Sequence, residues 1–186
     1  MAQTHDLRSR RMVALTSDTL DALRDALLRD GSVAGATQLQ DAGFAGGDAL
    51  YAAFREWLAG RTDTDAGELP TQEFGEYASE FFREAGWGSF RLGALGDSVV
   101  TIDTTDWREA DSSSALAHPG CHLTTGMLAG FFAAAGSAPI AALEVECRGA
   151  GGERCRFLLG AGPVLTHIFE QVEGGASYEE ALGARG

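Results

Sequence analysis

The chain has 186 residues, and 14 basic against 27 acidic side chains give it a net charge of −13. All 14 basic residues are arginine and there is no asparagine, which excludes lysine-dependent enzymes, Walker-type phosphate loops and N-glycosylation. The acidic balance also argues against a general nucleic-acid binder, because affinity for phosphates requires a cationic surface.

Length and a hydrophobic content of 45% fit one globular domain. Three cysteines fit a disulfide framework poorly and favour a reducing compartment. The first residues lack the apolar core of a signal peptide, and the apolar stretch 127–143 is too short to span a membrane and is interrupted by glycine and proline. We therefore predict a soluble cytoplasmic protein with a flexible tail over 1–16 and a single domain over 17–186.

The first half of the chain is predicted to be helical. Apolar residues recur every three or four positions over 17–30, 48–59 and 70–86, and capping residues and glycines mark the ends of these segments. Asp48 is the expected cap of the second helix. Residues 32–47 are ambiguous between helix and loop, and 61–69 are predicted to form a loop.

The second half alternates hairpins and helices. The elements expected there are strands over 89–95 and 99–103, a helix from Thr124 or Thr125 to Ala135, strands over 139–147 and 154–159, and short helices over 164–172 and 177–182. Turn-forming residues separate each pair of strands, so the pairs are antiparallel hairpins. This order predicts an α+β fold with an antiparallel sheet of about four strands and several helices packed on it.

The three cysteines are placed where one metal ion could bind them. Cys147 and Cys155 flank the Gly-rich turn of the second hairpin and can face each other across it. Cys121 precedes a predicted helix and can supply a third sulfur. Zinc favours such thiolate ligands and requires one further nitrogen or oxygen ligand.

Spacing alone leaves four residues as candidates for the fourth ligand: Glu144, Glu146, His118 and His122. Glu144 lies three positions before Cys147, and side chains three positions apart point to opposite faces of a regular strand. The two can therefore share a metal only if the strand bends or bulges between them, which the approaching Gly-rich turn makes plausible.

The sequence of this region resembles a known family. The run GCHLTTGMLAGFF over 120–132, Glu144-x-x-Cys147 and GERCRF over 152–157 resemble the 4-vinyl reductase domain, named after a bacteriochlorophyll-biosynthesis protein. The domain also forms the sensory module of phenol- and toluene-responsive transcription activators, and it shares a fold with TRAPP vesicle-transport subunits and haem-type nitric-oxide sensors. The resemblance thus implies a TRAPP-subunit-like fold for this chain.

In the aromatic-sensing members of that family, three cysteines and one glutamate hold a zinc ion. The resemblance assigns this set to Cys121, Glu144, Cys147 and Cys155, within a metal motif over 121–157, and so prefers Glu144 to the rival ligands. A site with four protein ligands leaves no open position for water, which argues against zinc hydrolysis.

Three thiolates and one carboxylate around Zn²⁺ leave two negative charges, which nearby cations would offset. Arg148, Arg154 and Arg156 flank the predicted ligands and are candidates for this role. They are equally well explained as solvated residues of the hairpin.

A ligand pocket is predicted from aromatic and polar residues near the motif. Trp107 lies in a polar stretch and is expected at a pocket entrance, His118 can donate to a ligand oxygen, and Phe131 and Phe132 can contribute apolar wall. Most aromatic residues of the chain are nevertheless expected to be core.

The function favoured by the sequence is a stand-alone zinc-stabilised module, expected to be a homodimer, which binds a hydrophobic, aromatic or tetrapyrrole ligand as a sensor or carrier. One alternative is an accessory protein or enzyme of (bacterio)chlorophyll synthesis, although no dinucleotide or flavin motif supplies a hydride source. The other is an assembly or adaptor subunit. No catalytic residue is assigned.

Overall fold

The computed structural model describes residues 12–29, 31, 33–111 and 118–183. Its elements, in chain order, are α1 (Ser17–Leu28), α2 (Val33–Ala45), α3 (Gly47–Leu58), α4 (Thr71–Glu84), β1 (Arg91–Leu95), β2 (Val99–Thr104), α5 (His122–Gly136), β3 (Ala141–Glu146), β4 (Cys155–Gly160), α6 (Gly162–Glu173) and α7 (Tyr178–Gly183). Most of the predicted tail, residues 1–11, lies outside the described residues. Residues 12–16 have no regular secondary structure, but Met12 packs against the main core.

The four strands form one antiparallel sheet in the order β1-β2-β4-β3. Both predicted hairpins are present, and β2 joins them by pairing with β4 over the whole length of the two strands. The predicted α+β fold is thus confirmed. Within the described residues β3 has a neighbour on one side only, so it forms an edge of the sheet.

Helix α5 is the centre of the fold, and nine of its residues are buried. It packs against α2, the segment that the sequence left ambiguous, through Gly126 of α5 and Gly43 of α2. A Cβ atom on Gly126 would lie 1.9 Å from the Gln40 carbonyl oxygen, and one on Gly43 would lie 2.1 Å from the Leu123 carbonyl oxygen. The two backbones touch because neither residue has a side chain.

The sheet separates two hydrophobic clusters. The larger cluster fills the space between the sheet and helices α3, α4 and α5. It is dominated by aromatic rings in mutual contact: Tyr51, Phe54, Trp57, Phe74, Phe81, Phe82, Phe90, Trp107, Phe131 and Phe132. The smaller cluster lies under α6 and α7 on the opposite face of the sheet and includes Val99, Leu158 and Ile168.

Two helix starts differ from the sequence prediction. Asp48 is not the cap of α3, because the helix already begins at Gly47 and Asp48 lies in its first turn. Helix α5 begins at His122, two or three residues earlier than expected. The physical reason is a cap supplied from a distance: the carboxylate of Glu109 accepts hydrogen bonds from the amides of Leu123 and Thr124.

No helix in the described part of the chain is both long enough and apolar enough to cross a membrane.

Candidate metal centre

The structure brings the four predicted ligand side chains together. One potential ligand atom from each of Cys121, Glu144, Cys147 and Cys155 lies within 4.8 Å of every other. The cysteines are 0–3% exposed and form no disulfide, whereas Glu144 is only partly buried. The group joins three elements: the start of α5, the edge strand β3 and the first residue of β4.

A β-bulge places Glu144 and Cys147 on the same side of the sheet. Glu144 pairs with Phe157, but Glu146 pairs with Arg156, so β3 advances two residues while β4 advances one. The extra residue, Val145, packs with the smaller cluster on the opposite face. The irregularity that the sequence required for these two ligands to meet is therefore present.

The Gly-rich turn holds the two hairpin cysteines in position. The amides of Ala150 and Gly152 donate to the Cys147 carbonyl at 3.1 and 2.9 Å. Gly151 has a φ of +92°, a conformation that favours glycine. The amide of Arg148 donates to the sulfur of Cys155 at 3.4 Å, so the turn also supplies a hydrogen bond to a potential metal ligand.

Two buried charged residues that the sequence did not single out as site residues fix the position of Cys121. Arg24 from α1 is 2% exposed and donates to the carbonyl of Gly120 at 3.2 Å. Glu109 is 1% exposed, lies 3.8 Å from Arg24 and accepts from Thr124 at 2.7 Å. Together they anchor the segment just before and just after Cys121. Their partners lie 14 to 96 positions away, a separation that no local pattern reveals.

The four acidic groups cannot all ionise without a cation. Hydrogen bonds from the Cys121 and Cys155 thiols hold the pKa of Cys147 well below its usual range. Donating to Cys147 in turn raises the pKa of Cys121 strongly. Burial, together with the negative Cys147, raises the pKa of Glu144 to about 9. In the metal-free cluster these shifts favour ionisation of Cys147 and oppose ionisation of Cys121 and Glu144.

The donor set fits a tetrahedral zinc ion. Two sulfurs bound to one zinc at about 2.3 Å lie about 3.8 Å apart, and the sulfurs of Cys121 and Cys147 are 3.8 Å apart. Glu144 Oε2 accepts from the Cys121 amide at 2.8 Å, while Oε1 is buried with no hydrogen-bond partner. Such an orphaned oxygen is costly unless something binds it. With four protein ligands the coordination sphere would be closed.

The rival ligands do not belong to this group. Glu146 lies on the opposite face of β3, where it accepts from Arg154 at 2.8 Å and from Tyr178 at 2.5 Å. Neither His118 nor His122 is part of the four-residue cluster. That these four residues bind a metal ion remains a prediction.

Two of the three arginines predicted to offset the charge of the site, Arg154 and Arg156, pair with other carboxylates instead. Arg156 makes a two-pronged ion pair with Asp103, with both distances 2.6 Å, and Arg154 pairs with Glu146. Both therefore neutralise carboxylates on the face of the sheet opposite the cysteines. Arg148 contributes its backbone amide to Cys155, as described above. A buried cation that does lie on the cysteine side is Arg24.

Three of the four residues predicted to line a ligand pocket, Trp107, Phe131 and Phe132, lie in the larger hydrophobic cluster, and His118 lies apart from them. Trp107 is fully buried rather than at a pocket entrance: its indole N–H donates to the Thr124 hydroxyl at 2.7 Å and its ring contacts Phe82. Trp107 therefore does not line a pocket entrance, because its ring packs in the core just before the short 3₁₀ turn Arg108–Asp111. Phe131 and Phe132 are also core residues.

His118 lies elsewhere, on the surface, and lines a groove of about 440 Å³ beside the cluster. The groove runs along β3, between the α2–α5 side and α6, and both apolar and polar side chains line it. It is lined by Gln40, His118, Pro119, His122, Thr125, Ala142, Leu143, Glu144, Val145, Phe169, Val172 and Glu173. Phe169 and Val172 leave 50% and 38% of their surface exposed there, a large amount for such side chains.

Solved structures share this fold at low sequence identity. The phenol-responsive sensory domain of the transcription activator PoxR, solved with phenol, is 21% identical with a TM-score of 0.57, over 80% of this chain and 76% of that one. A vinyl-4-reductase family protein from Methanocaldococcus jannaschii is 15% identical with a TM-score of 0.53, over 86% of this chain and 97% of that one.

A third similar structure is a trafficking protein particle complex subunit 3 from Naegleria fowleri, covalently bound to palmitic acid. It is 14% identical with a TM-score of 0.59, over 77% of this chain and 93% of that one. No curated protein matches the chain. Residues 108–161 match the model of the 4-vinyl reductase domain, a span that includes all four converging side chains. The resemblance of the sequence to the 4-vinyl reductase domain family is thereby confirmed.

Proposed function

We propose that this chain is a small-molecule-binding module, a sensor or carrier, whose scaffold is held together by one structural zinc ion. The observation that carries the zinc assignment is the convergence of three buried thiols and one carboxylate from three separate elements. Cys121, Glu144, Cys147 and Cys155 would hold the ion, and its charge would let all four groups ionise together.

The role proposed for the metal is structural rather than catalytic. A closed four-ligand site has no position for water or substrate. The zinc would tie α5 to β3 and β4, reinforcing their side-chain packing and the Cys121–Glu144 hydrogen bond. Folding and metal binding would then be linked, as in other small metal-stabilised domains.

The small-molecule role is supported by similarity of fold. A PoxR sensory domain with phenol and a trafficking subunit with palmitic acid adopt the same fold as this chain. Both ligands are largely apolar, so we propose a hydrophobic, aromatic or tetrapyrrole ligand here. Within the described residues, the groove beside Glu144 offers apolar side chains of β3 and α6 together with His118, His122 and Thr125 as polar partners.

The remaining predicted pocket residues would serve a ligand only after a rearrangement. Trp107, Phe131 and Phe132 are 0–8% exposed and in ring-to-ring contact with their neighbours. A ligand could reach them by displacing part of the aromatic cluster. Of the predicted set, His118 is therefore the residue we propose to contact a ligand directly.

Native mass spectrometry tests both parts of the proposal. The expected spectrum shows one zinc per chain and, after incubation, one bound phenolic, fatty-acid or porphyrin molecule, and it also reports whether the protein is a homodimer. Ligands that bind the native state should raise the melting temperature. A chain that binds zinc but no member of these three ligand classes would refute the sensor or carrier role and favour an assembly subunit.

A further inference from the structure

We propose that the groove along β3 is the route by which the metal ion enters and leaves the cluster, with Glu144 as the first ligand met and the last released. This inference rests on the proposed function, because it presumes that the cluster holds zinc. It adds a role for two residues that belong neither to the cluster nor to the aromatic core, His118 and His122.

The four candidate ligand side chains differ in their exposure to solvent. Cys121 and Cys155 are 0% exposed and Cys147 is 3% exposed. Glu144 is the partly exposed member of the set and also lines the open groove. An ion that approaches along the groove would therefore reach the Glu144 side chain before any of the three cysteines.

The carboxylate is also suited to bind first and leave last. Its Oε1 atom is buried with no hydrogen-bond partner, so an ion that binds there replaces a proton of the carboxyl group but breaks no hydrogen bond. Zinc prefers the thiolates as partners, because oxygen is the harder ligand. An ion held at first by Glu144 would therefore pass on to the three sulfurs.

The groove contains further ligand atoms along the same path. His118 is exposed and His122 is half-buried, and both line the groove together with Glu144. Imidazole nitrogen is a good ligand for zinc, so the two rings can hold a partly dehydrated ion on its way in. Glu173, an exposed carboxylate of α6, lines the same groove and adds negative charge that attracts a cation.

Neither histidine belongs to the final four-ligand set. The route therefore makes a specific kinetic prediction. Removing the histidines should slow entry and release by similar factors and leave the equilibrium affinity nearly unchanged, since the bound and free states are untouched. A structural role for either ring would change affinity or melting temperature instead.

The test uses the full chain and Zn²⁺ itself. Transfer of zinc to and from a chromogenic chelator is followed by stopped flow for the wild type, for His118→Gln/His122→Gln and for His167→Gln, a histidine of α6 outside the groove lining. We expect the double variant to slow both directions about tenfold, with the same stoichiometry, a dissociation constant within about twofold of the wild-type value, and the same melting temperature. His167→Gln should match the wild type.

The outcomes separate the two claims. A wild-type chain that binds no zinc would refute the proposed function and this inference with it. A wild-type chain that binds one zinc, with unchanged rates in the double variant, would refute the route alone. Weakened affinity at an unchanged entry rate would also refute it, because the histidines would then stabilise the bound state.

Discussion

The backbone amide of Cys121 donates a hydrogen bond of 2.8 Å to Oε2 of Glu144, which joins the start of α5 to the edge strand β3. The second carboxylate oxygen is left without a hydrogen-bond partner in the buried cluster. One side chain thus both positions a cysteine and offers an oxygen to whatever the three sulfurs bind. The proposals for this protein depend on that double role.

Replacing Glu144 should weaken metal binding, whereas replacing its near neighbour Glu146 should not. In Glu144→Gln a neutral amide takes the place of the carboxylate, and zinc affinity should fall at least about tenfold. Glu146→Gln instead weakens the partly exposed pair with Arg154 on the other face, an interaction worth about 0.2–1 kcal/mol. Competition with a chelator of known affinity measures both variants.

Equal affinity in the two variants would contradict the assignment of Glu144. Loss of zinc binding in Glu146→Gln alone would reverse it, and would mean that the bulge at Val145 does not separate the two carboxylates as described.

Zinc binding should release about three protons per ion near pH 7. In the metal-free cluster, burial raises the pKa of Glu144 to about 9. A hydrogen bond to Cys147 raises the pKa of Cys121. The thiols that donate to Cys147 lower the pKa of Cys147. A hydrogen bond from Cys121 lowers the pKa of Cys155, but donation to Cys147 and burial bring it to about 12. Three of the four groups therefore hold a proton that the metal displaces.

The same proton count predicts that the stability of the protein depends on pH differently with and without metal. The unfolded chain keeps about three thiol protons between about pH 5 and pH 8. The metal-free fold also keeps about three, on Glu144, Cys121 and Cys155, so this cluster should leave its stability nearly flat with pH. The loaded fold keeps none, so its stability should rise by about 4 kcal/mol per pH unit.

Calorimetric titration with zinc in two buffers of different ionisation enthalpy counts the protons, and urea unfolding at several pH values gives the two slopes. Release of one proton or fewer would contradict the proposed state of the metal-free cluster. A loaded protein whose stability is flat with pH would contradict thiolate ligation.

Gly126→Ala should destabilise the protein severely, because its new Cβ would lie 1.9 Å from a backbone oxygen of α2 and one of the two helices must move. We expect a loss of at least about 3 kcal/mol, out of a total that is typically about 5–15 kcal/mol. Gly136→Ala, at the end of the same helix, meets its nearest atom, a side-chain carbon of Ile140, at 3.6 Å. It should be neutral or stabilising by up to about 1 kcal/mol.

Chemical denaturation of the two glycine variants provides the comparison. A Gly126→Ala protein as stable as Gly136→Ala would show that the close packing of α2 on α5 does not exist in solution.

Arg24→Met should cost about 3–5 kcal/mol, because it leaves the buried Glu109 carboxylate without its cation. It also removes the hydrogen bond to the Gly120 carbonyl, one residue before Cys121. Zinc affinity should therefore fall together with stability. The matched control is Arg55→Met, which removes an exposed pair with Asp65 and should change stability by less than about 1 kcal/mol.

Urea unfolding and chelator competition on both arginine variants give the two quantities. Unchanged zinc affinity in a destabilised Arg24→Met would mean that this contact supports the fold but not the position of Cys121.

The strands and most helices follow from local pattern. Alternating residues and turn signals define both hairpins, and apolar periodicity with terminal glycines and prolines defines α1, α3 and α4. Helix α2 could not be predicted from local pattern, because Gly43 serves packing against α5 rather than ending a helix. The start of α5 could not be predicted from local pattern either, because its cap is Glu109, a residue remote in sequence.

The candidate metal centre was also foreseen in part. Spacing around the second hairpin indicated three cysteines near one point, and the family resemblance selected Glu144 from four candidates. The support by Arg24 and Glu109 could not be predicted, because burial of an ion pair depends on tertiary contacts that leave no periodic signal. The same holds for Trp107, whose polar neighbours in sequence pointed to the surface although its ring is in the core.

Metal content of the purified protein tests the central claim most directly. After dialysis against metal-free buffer, elemental analysis and native mass spectrometry should give one zinc per chain, and a chelator should remove it with a fall in melting temperature. Cys147→Ser should lose the metal. A wild-type protein with well under one zinc per chain, and the same melting temperature with and without chelator, would contradict the account.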